Sequence, residues 1–168
     1  CSGRIWLEGR DIANRPPSFS ISQGLAHIPE DRIGVGSAPN LSLTSNIIMK
    51  RFDQKPVSQK WQLNYMAADK LAGGLKTEYD IQAPSVQTQA RKLSGGNLQK
   101  FIMGREMMLQ PDVLLVAQPT WGVDIGAALE IRQKLVAMRN DGTAILVISE
   151  EIDELFEICD RMHVLHKG

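Results

Sequence analysis

Apolar positions in this chain change period more than once, and the changes outline its elements. Near the start, Ile5 and Leu7 alternate with charged neighbours, which predicts a half-exposed strand over 4–8. Pro16-Pro17 breaks the chain after this strand, and Leu25-Ala26-His27-Ile28 predicts a second short strand ended by Pro29. Glu30-Asp31-Arg32, with Gly34 and Gly36, predicts a polar loop. From about Asn40 to Leu93 the spacing turns helical. Ser42 or Thr44 can cap a short helix carrying Ile47 and Ile48. A longer helix is predicted from Trp61, Tyr65, Ala68 and Leu71-Ala72, with Gly73-Gly74 as its stop and Pro84 in the loop beyond.

After Gly95 helices and strands alternate. Leu98, Phe101, Ile102, Met108 and Leu109 predict one helix face, closed by Pro111. Val113–Val116 is a continuous apolar run, the pattern of a strand buried on both sides, and Ala144–Ile148 is another. Between them Ala127, Ile131, Leu135 and Met138 predict a helix closed by Asn140-Asp141-Gly142. Ile152, Leu155, Phe156 and Cys159 predict a last helix, and Met162–Leu165 a final strand. Helices alternating with strands over short loops predict an α/β fold with a parallel sheet covered by helices.

At 168 residues and 43% hydrophobic, the chain can bury a core of ordinary domain size. Its 19 basic and 19 acidic side chains cancel, and aromatic residues are only 5%, so neither a basic footprint nor stacking platforms favour nucleic acid. Cys1 and Cys159 give no metal spacing and no disulfide framework, and Cys159 reads as a buried free thiol. No apolar run approaches the roughly 18 residues that span a bilayer, so a membrane role requires a partner. The chain opens without an initiating methionine and closes on strand-like residues, which leads us to expect a piece of a larger protein.

Three segments could carry chemistry. Ser94 stands where an N-cap belongs, followed by Gly95 and Gly96, with Asn97 at the third helical position. Free N–H groups, the helix dipole and the absence of two Cβ atoms favour an anion such as phosphate there, and plain capping fits the same residues. The strand Val113–Val116 runs into Ala117-Gln118-Pro119-Thr120. A phosphate-transfer site would place an Asp for magnesium and then a Glu for water at the first two positions. Alanine offers magnesium no ligand, and glutamine cannot take a proton. The third segment, Ser149-Glu150-Glu151, puts negative charge where a γ-phosphate sensor would stand, and it also suits a capped helix start. The chain contains no Gly-Lys dipeptide and hence no P-loop, and His27, His163 and His166 do not cluster with carboxylates, so no metal ligand set is expected.

In this order the three segments resemble the ATP-binding cassette (ABC) transporter ATPases, over essentially the whole chain. Leu93–Asn97 is similar to the family's signature motif, with Asn97 in place of the usual Gln. That Asn and the following Gln99-Lys100 are similar to the second cassette of importers for simple sugars and nucleosides. Val113–Gln118 resembles the Walker B strand, Gly122-Val123-Asp124 the D-loop, and Ser149-Glu150 the switch-histidine position. Ala26–Arg32 resembles the Q-loop region, with Glu30 where most cassettes have Gln. Trp121 stands where these importers usually show a basic residue.

The resemblance implies a partial ABC ATPase fold, lacking the Walker A segment, with an inserted helical subdomain. Residues 1–37 would form the first strand and Q-loop region, 38–93 the helical subdomain ending at the signature, and 94–168 the α/β core. It implies ATP and magnesium held mainly by residues outside this chain, with Ser94, Gly95, Gly96, Asn97 and Asp124 meeting nucleotide. Ala117, Gln118 and Glu150 mark degenerate catalytic positions, so the piece alone is expected to be inactive. Its signature would complete the ATP site of a second cassette, and transmembrane permease subunits would hold the pair on the cytoplasmic face of the membrane. Two rivals are an active ATPase using Glu30 or Glu150 as a substitute acid, and a non-transport regulatory cassette. Without the Walker A strands the isolated piece is expected to expose sheet edge and to dimerise or swap.

Overall fold

A computed structural model describes residues 3–59 and 61–166. The chain opens with a two-stranded antiparallel ribbon, β1 (Trp6–Leu7) and β2 (Arg10–Asp11). A short helix that the sequence pattern did not predict, α1 (Pro17–Ser22), comes next. Pro17 takes the first helical position, where a missing N–H is not needed and the fixed φ suits the helix, so the Pro-Pro pair starts an element as well as interrupting one.

The centre is a parallel sheet of β3 (Leu25–Ile28), β6 (Val113–Ala117) and β7 (Ala144–Ile148), in the order β3-β6-β7. Its register aligns Ile28 with Val116 and Val116 with Val147. Ala26, Ile28, Leu114 and Val116 are buried on the face that the helices cover. On the opposite face Leu146 and Ile148 are 60% and 54% exposed. The apolar runs therefore mark strands buried on one side among the described residues, not on both as expected, because the helices before and after β6 lie on a single face.

That face is filled by α4 (Gly95–Met107), which is buried around nearly its whole circumference. Phe101, Ile102 and Met103 form the centre of the core with Leu114, Val116 and Ile28. A helix buried on nearly all sides lacks a polar stripe; of its three charged residues, Arg105 and Glu106 pair with each other and Lys100 pairs with Glu130. Along one flank lies α5 (Ile125–Asn140), which presents Ala127, Ile131, Leu135 and Met138 to the core, the predicted face.

On the other flank lie α2 (Leu43–Arg51), capped by Ser42, and α3 (Tyr65–Glu78). Between them β4 (Ser58–Gln59) and β5 (Gln62–Leu63) form a second ribbon. Trp61 lies in this ribbon, 99% exposed, and not on the helix predicted to include it. Nor do Gly73 and Gly74 stop α3. Ala68, Ala72, Leu75 and the following Tyr79 are all buried, and that burial outweighs the roughly 1 kcal/mol that each helical glycine costs.

Two expectations for the end of the chain need correction. In α6 (Ile152–Ile158) Ile152 and Phe156 face solvent, while Glu154 and Ile158 are buried. Glu154 turns inward because Ser149 Oγ donates to it at 2.9 Å and Arg132 on α5 stands 3.8 Å away. Cys159 caps this helix, half-buried, with its thiol pKa raised by desolvation and by nearby Asp160. Met162–Leu165 is not a strand. Val164 and Leu165 are almost fully exposed and pair with nothing among the described residues, and an unpartnered strand is not stable in water.

Candidate functional site

The start of α4 is built as a cap. Ser94 is extended, and its Oγ accepts from the Asn97 N–H at 3.3 Å and from Asn97 Nδ2 at 2.8 Å. Asn97 Oδ1 in turn accepts from the Gln82 N–H at 2.8 Å, which ties the turn to the segment leaving α3. The N–H groups of Gly95 and Gly96 precede any intrahelical acceptor and so remain available to an anion. Ser94 and Gly95 are exposed and Gly96 is buried, so the turn opens to solvent at its Ser94-Gly95 end.

The two glycines do something beyond clearing space for a ligand. A Cβ at Gly95 would stand 3.3 Å from the Gly122 carbonyl oxygen and 3.4 Å from Arg32 Nη1. One at Gly96 would stand 3.4 Å from Asp124 Oδ2 and from Ala127 Cβ. The helix start therefore lies directly against the segment between β6 and α5. Asp124 caps α5, accepting from the Ala127 N–H at 2.9 Å, and this bond is the main cause that holds its carboxyl below the usual pKa. Ser94–Asn97 and Asp124 are thus brought together.

Arg32 also reaches this cluster. Its Nη2 donates to the Trp121 carbonyl, and burial lowers its pKa from the ordinary value, though a guanidinium remains charged. Gln99, one turn beyond Gly95 on α4 and fully buried, donates from Nε2 to the Pro119 carbonyl at 2.8 Å. Neither residue was given a role from sequence. The usable signal for Gln99 was a polar residue interrupting the apolar face of a helix. For Arg32 only contact across 89 positions reveals it.

The remaining candidates lie along the carboxyl edge of the parallel sheet, where open α/β sheets place ligand groups. Glu30 follows β3 and is exposed. Ala117 ends β6, and its methyl offers no ligand. Gln118 is turned into the left-handed region at φ 49°, with its N–H donating to the Ile148 carbonyl at 2.7 Å. Its Oε1 accepts from the Glu150 N–H at 3.4 Å, which brings Gln118 and Glu150 together at the ends of β6 and β7. Ser149, expected to cap the last helix, instead accepts from the Glu151 N–H at 3.1 Å and holds Glu154. Glu151 occupies the cap position. A methyl and an already engaged amide do not make a magnesium site, so these residues do not fit one.

No family model matches the chain. It is 40% identical over 167 residues to the guanosine import ATP-binding protein NupO of Bacillus subtilis. To the nucleoside import ATP-binding protein NupA of Lactococcus lactis it is 38% identical, and to the glucose import ATP-binding protein TsgD13 of Haloferax volcanii 37%. Each match covers 99% of this chain, which spans about a third of the length of these relatives, 31–33%. Among solved structures, a nucleotide-free ATP-binding cassette from an ABC transporter matches with a TM-score of 0.72 at 20% identity, over 95% of this chain and 64% of that one. A dimeric bacterial ABC transporter cassette matches with a TM-score of 0.73 at 15% identity, over 93% of this chain and 66% of that one.

Proposed function

Because the chain belongs to the ATP-binding cassette family of import ATP-binding proteins, we propose that it is part of the second, degenerate cassette of an importer for sugars or nucleosides. Its role is to complete the ATP site of another cassette, not to hydrolyse ATP at its own. The relatives' names support the import class. In this reading residues 1–37 carry the Q-loop region, 38–93 the helical subdomain and 94–168 the core.

The contrast between the two clusters carries the proposal. At the start of α4, Ser94 is exposed and capped, beside unblocked N–H groups and the helix dipole, an arrangement that suits a γ-phosphate presented by a partner. At the sheet edge, Ala117 supplies no magnesium ligand and Gln118 no base, and Glu150 adds negative charge. ATP and magnesium are then held mainly by residues outside this chain. Asp124, standing between the signature turn and α5, would couple the two sites across the interface.

Val35 in the loop after Glu30 and Phe52 just past α2 are 67% and 61% exposed, apolar side chains that would suit contact with a permease segment. No helix among the described residues is long and apolar enough to cross a membrane, and a cytoplasmic, peripheral position would come from that contact.

In the full-length transporter, Ser94→Trp is expected to remove most ATP turnover, whereas Gln118→Ala leaves it nearly unchanged, read as steady-state phosphate release. Loss with Gln118→Ala and none with Ser94→Trp would reverse the assignment. Steady-state hydrolysis by the intact cassette as a homodimer, without the second one, would favour an active ATPase using Glu30 or Glu150.

A further inference from the structure

The loop that carries Glu30 and the turn that carries Ser94 are joined by one side chain. Arg32 starts from a closed turn. Asp31 Oδ1 accepts from the Ile33 and Gly34 N–H groups at 3.2 and 2.8 Å, and Ser37 Oγ donates to the Arg32 carbonyl at 2.8 Å. The Gly36 N–H donates to the Asp31 carbonyl at 2.8 Å. The far end of this turn is fixed to α4, where buried Arg105 donates from Nη2 to the Gly36 carbonyl at 2.7 Å. A Cβ at Gly36 would stand 2.9 Å from Ile102 Cδ1, so the turn sits directly on the helix.

From this fixed base the Arg32 guanidinium spans two elements. Nη2 donates to the Trp121 carbonyl, and Nη1 packs near Gly95, the first residue of α4, 3.4 Å from where a Cβ would stand there, without a hydrogen bond to it. Gln99 holds the same segment through the Pro119 carbonyl. A planar guanidinium can donate from one nitrogen while the other packs against a neighbouring segment, a shape that a lysine point charge does not reproduce.

We infer that Arg32 is a positioning residue: it clasps Trp121–Gly122 onto the Ser94–Asn97 turn, so that the Glu30 loop sets where the signature turn stands toward a partner's nucleotide. The inference rests on the donor reading proposed above.

The test is a double-mutant cycle in the full-length protein assembled with its partner cassette and permease, with ATP turnover as the readout. Loss of a hydrogen bond from a charged donor corresponds to about a tenfold fall in rate. Arg32→Ala is therefore expected to lower kcat about tenfold. KM for ATP should move less than about twofold, because the partner holds the nucleotide before the signature turn closes on it. Arg32→Lys should fail to restore kcat. Adding Arg32→Ala to Ser94→Ala should cost little further, because both act on one turn. Where Arg32→Ala lowers the thermal midpoint, Arg32→Gln, which keeps one donor and most of the length, carries the same comparison. Losses that add independently, a silent Arg32→Ala, or full rescue by Lys would overturn the clasp. If Ser94→Ala leaves turnover intact, the donor reading itself fails.

Discussion

Two glycines on α4 are expected to respond to the same substitution in opposite ways. At Gly104 an added Cβ would stand 2.9 Å from both Cδ2 and Cε2 of Tyr79 and 3.1 Å from Leu75 Cγ. That is well inside the roughly 3.5–4.0 Å of a favourable carbon contact. The ring cannot easily swing away. Tyr79 is buried, its hydroxyl donates to Met107 Sδ at 3.2 Å, and Lys134 Nζ lies 4.4 Å from the ring centroid. Overpacking of this kind costs about 1–3 kcal/mol, against which alanine regains about 1 kcal/mol of helix propensity. Gly104→Ala should therefore destabilise by about 1 kcal/mol net, a fall of about 2–4 °C in thermal midpoint for a chain of this size. At Gly96 the nearest atoms would lie 3.4 Å away, an ordinary contact, so Gly96→Ala should leave the midpoint unchanged or slightly raised. Thermal unfolding of both variants, with Tyr79→Leu as a second background, reads the difference. In that background Gly104→Ala should cost clearly less, because the ring is gone and only the 3.1 Å approach to Leu75 Cγ remains. A Gly104→Ala protein as stable as the parent, or a cost that is undiminished without the ring, would refute the packing argument.

Buried ionisable groups give two further expected outcomes. Glu106 has no exposed side-chain surface and accepts from Arg105 Nε and Nη2 at 3.0 and 2.8 Å and from Lys50 Nζ at 3.1 Å, so Glu106→Ala leaves two cations without their anion and should cost about 3–5 kcal/mol in urea unfolding; a loss under about 1 kcal/mol would mean that the pair relaxes to solvent. Burial, and to a lesser degree the Glu78 carboxylate, pushes the Tyr79 hydroxyl up to about 12 from 10.0. The folded state thus keeps a proton that the unfolded chain releases, so stability is full below pH 10.0 and falls as pH rises toward about 12. Tyr79→Phe should flatten that alkaline fall in the denaturation midpoint, and parallel curves for the two proteins above pH 10.0 would contradict it.

The periodicity of the chain located β3, β6, α5 and β7 because each of them buries a face against α4 or its neighbours, and burial is what sets the period. It failed where something other than apolar spacing decides. Tyr79 and Leu75 carry α3 past Gly73-Gly74 through contacts made with α4, which local propensity cannot report. The buried face of α6 is chosen by Glu154, an ion-paired carboxylate that a hydrophobic pattern counts as exposed. The signature turn was legible, since Ser94-Gly95-Gly96 is a local arrangement of cap and glycines. Arg32 and Gln99 were not, because their meaning lies in backbone carbonyls of a distant segment, Trp121 and Pro119.

The sheet edge shows why the two clusters can diverge in chemistry while sharing one framework. Gln118 follows β6 in a left-handed turn whose hydrogen bonds come from the backbone: its N–H donates to the Ile148 carbonyl, and its carbonyl accepts from the Trp121 N–H. The side-chain contribution is one weak acceptor for the Glu150 N–H, which a carboxylate would serve equally well. Ala117 is half-buried beside Ile148, and nothing in its pairing demands a methyl. The turn, the register and the approach of α4 to Pro119–Asp124 all stand without the acidic side chains that phosphate transfer would need at these positions. In the proposed reading, absence of those groups would remove reactivity from one edge without loosening the segment that Gln99 and Arg32 contact beside the Ser94 turn. If the proposed reading holds, such a cassette would lose its own site and still present the Ser94 turn to another, because the two depend on different atoms of the same loop.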